Sequence, residues 1–265
     1  MESKPAVTEY GCAMSFRVGA DAYDRFMGCY SVQLAPLLAD FASVTVGQRV
    51  IDVGCGPGAL TTELVKRVGA TAVSAVDPSE SFVEAARQRH PGVDVQHAGA
   101  EQLPFDDGTF DAALAQLVVH FMADPVVGLG EMRRVTRPDG IIAACVWDFA
   151  GGSGPLSVFW EAARRLDPVV DGEASLAGAR QGHLGELYRA VGLHDVKETV
   201  LTVSVEYPSF EEWWEPFTFG VGVAGDHLAS LDADRRDLLR DQCRALLPAA
   251  PFVVYGRAWA ARGAA

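Results

Sequence analysis

The chain has 265 residues, a formal net charge of −13 and a sequence pI of about 4.8. It is 49% hydrophobic, enough for one large core, yet holds no run of 18 or more apolar residues that could span a membrane. The acid excess and the lack of a basic run count against nucleic acid as a partner, because displacing counterions from phosphate needs positive surface.

The opening MESKPAVTEYGCAMSFRVGA lacks a basic start followed by an apolar stretch, so no secretory signal is expected and a cytoplasmic location is. The first fifteen residues are expected to be mobile. Cys12, Cys29, Cys55, Cys145 and Cys243 are odd in number, widely spaced and without a C-x-x-C pair. That is the pattern of scattered core thiols rather than of a disulfide framework or a zinc site. No His/Asp/Glu cluster at ligand spacing points to a metal.

From about residue 49 to 147, strand-like runs alternate with helical patterns. Val50 to Val53 is a short apolar run ending at glycines. Leu60, Leu64, Val65 and Val68 then share one helical face, and Gly69 closes the helix. Ala72 to Val76 is a second run, ending in Asp77, and Ser79 is placed to cap a helix through about Arg89. Val93 to Gln96 and Phe110 to Ala115 read as strands. A helix follows Pro125, with Leu129, Met132 and Val135 inward. Arg137-Pro138-Asp139-Gly140 reads as a turn, and Ile141 to Trp147 as the fifth strand. Such alternation predicts an α/β fold with a parallel sheet covered on both faces.

Residues 148 to 182 read as a loop around one short helix, Leu156 to Leu166, and a second helix covers about 183 to 191. Lys197 to Val205 alternates as a strand does. Ser209 and Glu212 have the capping-box spacing, Asp232 is placed to cap a helix to about Leu247, and Phe252 to Ala260 reads as the last strand. Two strands near the end predict an antiparallel edge on the sheet.

The turn Val53-Gly54-Cys55-Gly56-Pro57-Gly58 lets a ligand press against backbone at the start of a helix, whose free N–H groups favour an anion. With Ala59 it also fits the dinucleotide fingerprint G-x-G-x-x-G/A. Asp77 ends the second strand, where a ribose-binding carboxylate is expected for either kind of nucleotide. Asp52 separates the two. A carboxylate just before the first glycine can receive the amino group of a methionine moiety, whereas it would repel a pyrophosphate.

Four stretches in order, VIDVGCGPGALTTELVKR, AVDPSESFVEAARQR, GAEQLPFDDGTFDAALAQ and EMRRVTRPDGIIAA, resemble the class I S-adenosylmethionine-dependent methyltransferases, specifically the ubiquinone-biosynthesis-like, methyltransferase type 11 branch. Tyr23 to Gly28, YDRFMG, resembles that family's cofactor-covering segment. The resemblance implies a Rossmann-like, seven-stranded, mostly parallel sheet with strand seven antiparallel between five and six. To this it adds a helical lid insertion. It implies one domain over 1–265, with a covering segment at 16–45, a cofactor-binding core at 46–150 and acceptor-side insertions at 151–182 and 207–248. It also implies S-adenosylmethionine as cofactor. Asp52, Gly54, Cys55, Gly56 and Gly58 would surround its methionine end, and Asp77 would hold the ribose. Pro78 and Ser79 would border the adenine on one side, Ala100 and Glu101 on the other, and Gln116 would line the pocket. Gly99 departs from the family, which has an acidic residue there for the adenine amino group.

Methyl transfer from a sulfonium needs alignment and desolvation more than a catalytic triad. His120, which follows the fourth strand, is the candidate general base if the acceptor must lose a proton, and His183 is the alternative. Tyr23, Arg25 and Met27 are candidates to close over the cofactor. Trp213, Trp214, Phe217 and Phe219 either line an acceptor pocket or make core or dimer contacts, so a homodimer is admitted. Gly220 to Gly225 reads as a hinge or loose loop. The expected partner is a small-molecule methyl acceptor, with no nucleic acid and no membrane insertion. The rival readings are an NAD-type oxidoreductase, a non-catalytic S-adenosylmethionine-binding protein and a methyltransferase of RNA or protein.

Overall fold

The structure, a computed structural model, describes residues 19–265. The expected mobility of the first fifteen residues, the start of the covering segment at 16–18, and Cys12 lie outside the described residues.

A long helical entry opens the fold: α1 (Ala20–Tyr23), a π-helical turn over Asp24–Gly28, and α2 (Cys29–Phe41). The π turn falls on the YDRFMG stretch. Such a turn holds an extra residue against the helical repeat and is frequent at functional sites.

The seven strands are β1 (Val50–Val53), β2 (Val73–Asp77), β3 (Asp94–His97), β4 (Phe110–Gln116), β5 (Thr136–Trp147), β6 (His194–Tyr207) and β7 (Phe252–Ala264). They form one sheet in the order β3-β2-β1-β4-β5-β7-β6. β7 runs antiparallel to both β5 and β6, and the remaining pairs are parallel. This is the Rossmann-like arrangement implied by the resemblance. β1 and β2 are buried along their whole length, so neither alternates between core and solvent, and Asp52 and Asp77 are carried inside with them. The strand order reverses between β1 and β4. The crevice beyond their carboxyl ends is where open α/β sheets bind ligands.

The crossover helices are α3 (Ala59–Val68), α4 (Glu80–Arg89), α5 (Pro125–Val135) and α7 (His183–Ala190). Asp124 caps α5 by accepting from the Val126 and Val127 N–H groups. Ser79 takes the N-cap position of α4, but its hydroxyl lies 3.0 Å from Ser81 Oγ instead of on a helix N–H.

A cap is built from α6 (Ser157–Leu166), α8 (Phe210–Trp214), α9 (Gly222–Ser230) and α10 (Ala233–Leu246). Ser209 accepts from Glu212 N–H and Asp232 from Arg235 N–H, so both caps read from the sequence form. An aromatic core joins these helices. Phe159 stacks on Phe217 at 4.7 Å, and Phe217 meets Phe26 of the helical entry edge-on at 5.2 Å.

Two local readings are corrected. Arg137 to Gly140 is not a free turn: it lies inside β5, where the register jumps from Phe110 opposite Thr136 to Ala112 opposite Ile141 and Asp139 takes φ 61°. Gly220 to Gly225 is not a loose loop either, because α9 starts at Gly222. A Cβ on Gly225 would come within 2.5 Å of the Gly220 backbone, so Gly225 permits close packing of the helix on the preceding turn. Among the described residues no helix is long and apolar enough to cross a membrane.

Candidate active site

The glycine turn is fixed from behind. Gly54 and Cys55 both donate N–H bonds to Val76 O, at 2.8 and 2.9 Å, tying the turn to β2. Asp77 then braces it: Oδ2 accepts from Gly56 N–H and Oδ1 from Ser79 N–H, each at 2.8 Å. Burial pushes the Asp77 carboxyl up to about 6, and the two N–H groups hold it below where burial alone would put it.

Gly58, at φ 101°, opens α3, and a Cβ there would meet His90 Nε2 at 2.6 Å. His90 Nε2 lies 3.2 Å from both Gly58 O and Thr62 Oγ1. Its neighbour Arg89 donates to Pro57 O at 3.2 Å and pairs with Asp24 of the π turn. Sequence reading gave His90 no role and did not single out Arg89. Both support the turn from α4, a contact that no local motif announces.

Asp52 is fully buried. Its Oδ2 accepts from Thr61 Oγ1 at 2.6 Å, while Oδ1 has no partner among the described residues. Burial pushes this carboxyl up to about 7. Gln116 Nε2 donates to Ser31 O at 3.1 Å, and its Oε1 is likewise unpartnered among the described residues. Both side chains line one cleft with Tyr23, Gly54, Cys55 and Gly56. Each unmade bond of this kind costs roughly 1–3 kcal/mol. Two acceptor-only oxygens in one cleft suit a ligand group rich in N–H donors, such as an ammonium.

The remaining sequence candidates scatter. Pro78 O takes a bond from His97 Nε2 at 2.8 Å. Ala100 is buried, and Glu101 Oε1 accepts from Ala123 N–H at 2.7 Å, bracing the chain before α5. A Cβ on Gly99 would lie 3.2 Å from Glu101 Oε2, so Glu101 reaches the space an acidic residue at 99 would start to fill. Arg25 does not line the cleft. Its exposed guanidinium pairs with Glu215 at 2.6 Å and lies 4.6 Å over Phe219, clamping the helical entry to the cap. Gly178 N–H donates to His183 Nδ1, so His183 supports a loop and lines neither cavity described here.

Beside the cleft, and sharing Tyr23 with it, is an apolar cavity. Leu117 adopts φ 61°, a conformation a leucine rarely takes. It turns the chain so that Gln116 lines the cleft and Leu117 the cavity. Trp213, Trp214 and Phe217 do not line it but form the aromatic core of the cap. The walls come instead from Phe26, Met27, Trp147, Phe149 and the start of α9. Among the described residues its side chains with polar atoms, besides Tyr23, are His120, Glu173 and Trp147, whose buried indole N–H has no partner among them. Burial holds His120 down at about 3, so the ring is neutral, and its Nδ1 has no partner among the described residues. Glu173, buried at 3% exposure, accepts from Trp160 Nε1 at 2.8 Å and is pushed up to about 7. Glu173 was missed because it sits in a Gly- and Asp-rich loop with no periodic pattern.

Asp52 and Glu173 have folded values above those of an unfolded chain. The stability they lend is therefore complete below the unfolded carboxyl value and is lost as pH rises through about 7. Between pH 6.5 and 8 the melting temperature of the ligand-free protein is expected to fall by several degrees, about 1 kcal/mol from each carboxyl. His120 opposes this weakly at the lower end of the window, where the unfolded imidazole still binds protons and the folded ring does not, and the opposition fades as pH rises. A flat or rising calorimetric profile would contradict the burial of these two acids.

Residues 51–144 match the family model described as a methyltransferase domain. The chain is 32% identical over 134 residues to a malonyl-[acyl-carrier protein] O-methyltransferase of Erwinia billingiae, covering 51% of this chain and 52% of that protein. It is 37% identical over 133 residues to a demethylmenaquinone methyltransferase of Clavibacter sepedonicus, covering 48% of this chain and 54% of that one. The chain thus spans about half the length of these curated relatives. Among solved structures, the YcgJ protein of Bacillus subtilis shares the fold at a TM-score of 0.57 and 19% identity, covering 89% of this chain and 98% of that one. The domain match over 51–144 and the shared fold support the class I S-adenosylmethionine-dependent methyltransferase family.

Proposed function

We propose that the chain transfers a methyl group from S-adenosylmethionine to an O, N or C atom of a small organic molecule by in-line displacement. The observation that carries this reading is the pair of cavities meeting at Tyr23. One presents unpartnered oxygens of Asp52 and Gln116, and the other is almost wholly apolar. The bound sulfonium would supply an electrophilic methyl group.

The chain's own residues have three tasks. Asp52 and Gln116 take the amino group of the donor, with Gly54, Cys55, Gly56 and Gly58 shaping the turn beside it. Asp77 takes the ribose hydroxyls. Pro78, Ser79, Ala100 and Glu101 border the adenine, Glu101 serving in the space left by Gly99. Tyr23 separates donor from acceptor, and the apolar walls keep water from the methyl group. Core 46–150 then holds the donor, while 151–182 and 207–248 form the acceptor side.

Two relatives bear methyltransferase names with different acceptors, a carrier-bound malonyl group and a demethylmenaquinone, so neither acceptor is carried over. The net charge of −13 favours a small molecule over a nucleic acid.

Calorimetric titration with S-adenosylhomocysteine and with NADH tests the reading. Micromolar binding of the first and none of the second is expected, and the reverse would establish the dinucleotide alternative. His120→Ala is expected to leave S-adenosylhomocysteine affinity nearly intact and to lower turnover. Lost cofactor binding with the fold retained would place His120 on the donor side instead.

A further inference from the structure

We propose that the apolar cavity receives an apolar amine, with Glu173 as the anionic anchor for its nitrogen and the acceptor of the proton that nitrogen gives up. This rests on the methyl-transfer reading above and names the acceptor class for that site.

The argument begins with charge balance. Glu173 is 3% exposed, and its Oε2 takes one bond, from the neutral indole N–H of Trp160. Among the described residues, no lysine or arginine lines the cavity. His120, also buried there, is held neutral by burial and brings no positive charge. A buried carboxylate without a countercharge is costly, and that cost is relieved only by a cation or a proton. A cationic ligand supplies the missing charge; a hydroxyl does not, and an acid adds repulsion.

The walls point the same way. Phe26, Phe121, Trp147 and Phe149 are among the lining residues, and aromatic faces attract an ammonium while accepting the apolar body of the molecule. Burial pushes Glu173 up to about 7, so it can both hold an ammonium and take a proton near neutral pH. His120, at about 3, is the poorer base, which moves the proton-accepting role from the histidine to the glutamate.

The step balances. The bound ammonium gives one proton to the Glu173 carboxylate, which becomes a carboxylic acid, and frees the nitrogen lone pair. The nitrogen forms a bond to the donor methyl carbon as the C–S bond breaks and its electron pair returns to sulfur. The product leaves as an N-methylammonium, and Glu173 then releases its proton to solvent.

The test measures binding by calorimetry, so it does not depend on turnover. The probes are 2-phenylethylamine, 2-phenylethanol and 3-phenylpropionate, titrated at pH 8 with and without saturating S-adenosylhomocysteine. The amine is expected to bind at least tenfold more tightly than the alcohol, and the acid not at all. Glu173→Gln keeps an oxygen for Trp160 Nε1. It is expected to weaken the amine at least tenfold while leaving the alcohol and S-adenosylhomocysteine within twofold. In the unmodified protein, amine affinity is expected to rise several-fold from pH 6.5 to 8 while alcohol affinity stays level. Titratable groups near Glu173 and its Trp160 partner include Tyr23 and His120, which line the same cavity, and His227, whose ring lies 5.5 Å from that of Trp160. The alcohol series reports any effect of theirs on the cavity itself.

An alcohol that binds as well as the amine, or a Glu173→Gln protein that keeps the full amine affinity, overturns the proposal. S-adenosylhomocysteine binding without an amine preference overturns this inference alone. An amine preference without S-adenosylhomocysteine binding supports the amine site and overturns the methyl-donor reading.

Discussion

Asp52→Asn is expected to stabilise the ligand-free protein and to weaken S-adenosylhomocysteine binding by about tenfold or more, roughly 1.4 kcal/mol. The two effects have one cause. Asp52 is fully buried with one oxygen on Thr61 and the other unpartnered among the described residues, so its charge is tolerated rather than favoured by the fold. The amide keeps the volume and an acceptor for Thr61 and removes that charge. The gain at pH 8 is expected to be about 1 kcal/mol or more, a rise in melting temperature of a few degrees. The gain should fade toward pH 6, where Asp52 already carries its proton. The loss of affinity follows because an ammonium ligand would no longer meet a carboxylate. Unchanged affinity would remove Asp52 from the ligand site and leave it as a buried group of the fold.

Asp77→Ala should be the more damaging change. Affinity for S-adenosylhomocysteine is expected to drop more than tenfold, and stability by about 2 kcal/mol, because the Gly56 and Ser79 N–H groups lose their acceptor. Asp77→Asn separates the two roles. Its single carbonyl oxygen can serve one N–H but not both, so stability should recover in part, while the ribose contact still lacks a charged acceptor. Measured side by side, a ribose role requires that Asn keep the affinity loss while recovering melting temperature. Should affinity instead track melting temperature across both variants, Asp77 only braces the turn.

The first cleft was legible because its residues are local in the chain. Asp52, the glycine turn and Asp77 lie within 26 residues on two neighbouring parallel strands, and their spacing alone puts them at one crevice. The capping residues Ser209, Asp124 and Asp232 act within three positions, so the helices they start could be placed to within a residue or two. Two local readings failed where a glycine pattern had a second meaning. Arg137 to Gly140 has turn chemistry but is held in β5 by pairing across the sheet. Gly225 serves close packing at the start of α9, which Gly222 opens at φ 61°, rather than a hinge.

The apolar cavity and the cap followed other rules. Arg25 was assigned to the cofactor from its position in YDRFMG, yet its partner is Glu215, 190 residues away, and no spacing rule reaches that far. For Trp213, Trp214 and Phe217 the sequence leaves pocket wall and core contact both open, and the structure places them inside the cap, because facing helices pack on those rings. Glu173 carried no pattern at all.

By itself, then, the sequence determined the alternation of strands and helices, the turn after β1 and the carboxylate after β2. These depend on apolar period, glycine backbone freedom and contacts between chain neighbours. Tertiary structure decided which side chains face the second cavity, which acid is left without a countercharge there, and which residues prop the turn from behind. Those outcomes depend on how the insertions fold back over the sheet, and packing between segments more than a hundred residues apart leaves no periodic trace in the chain.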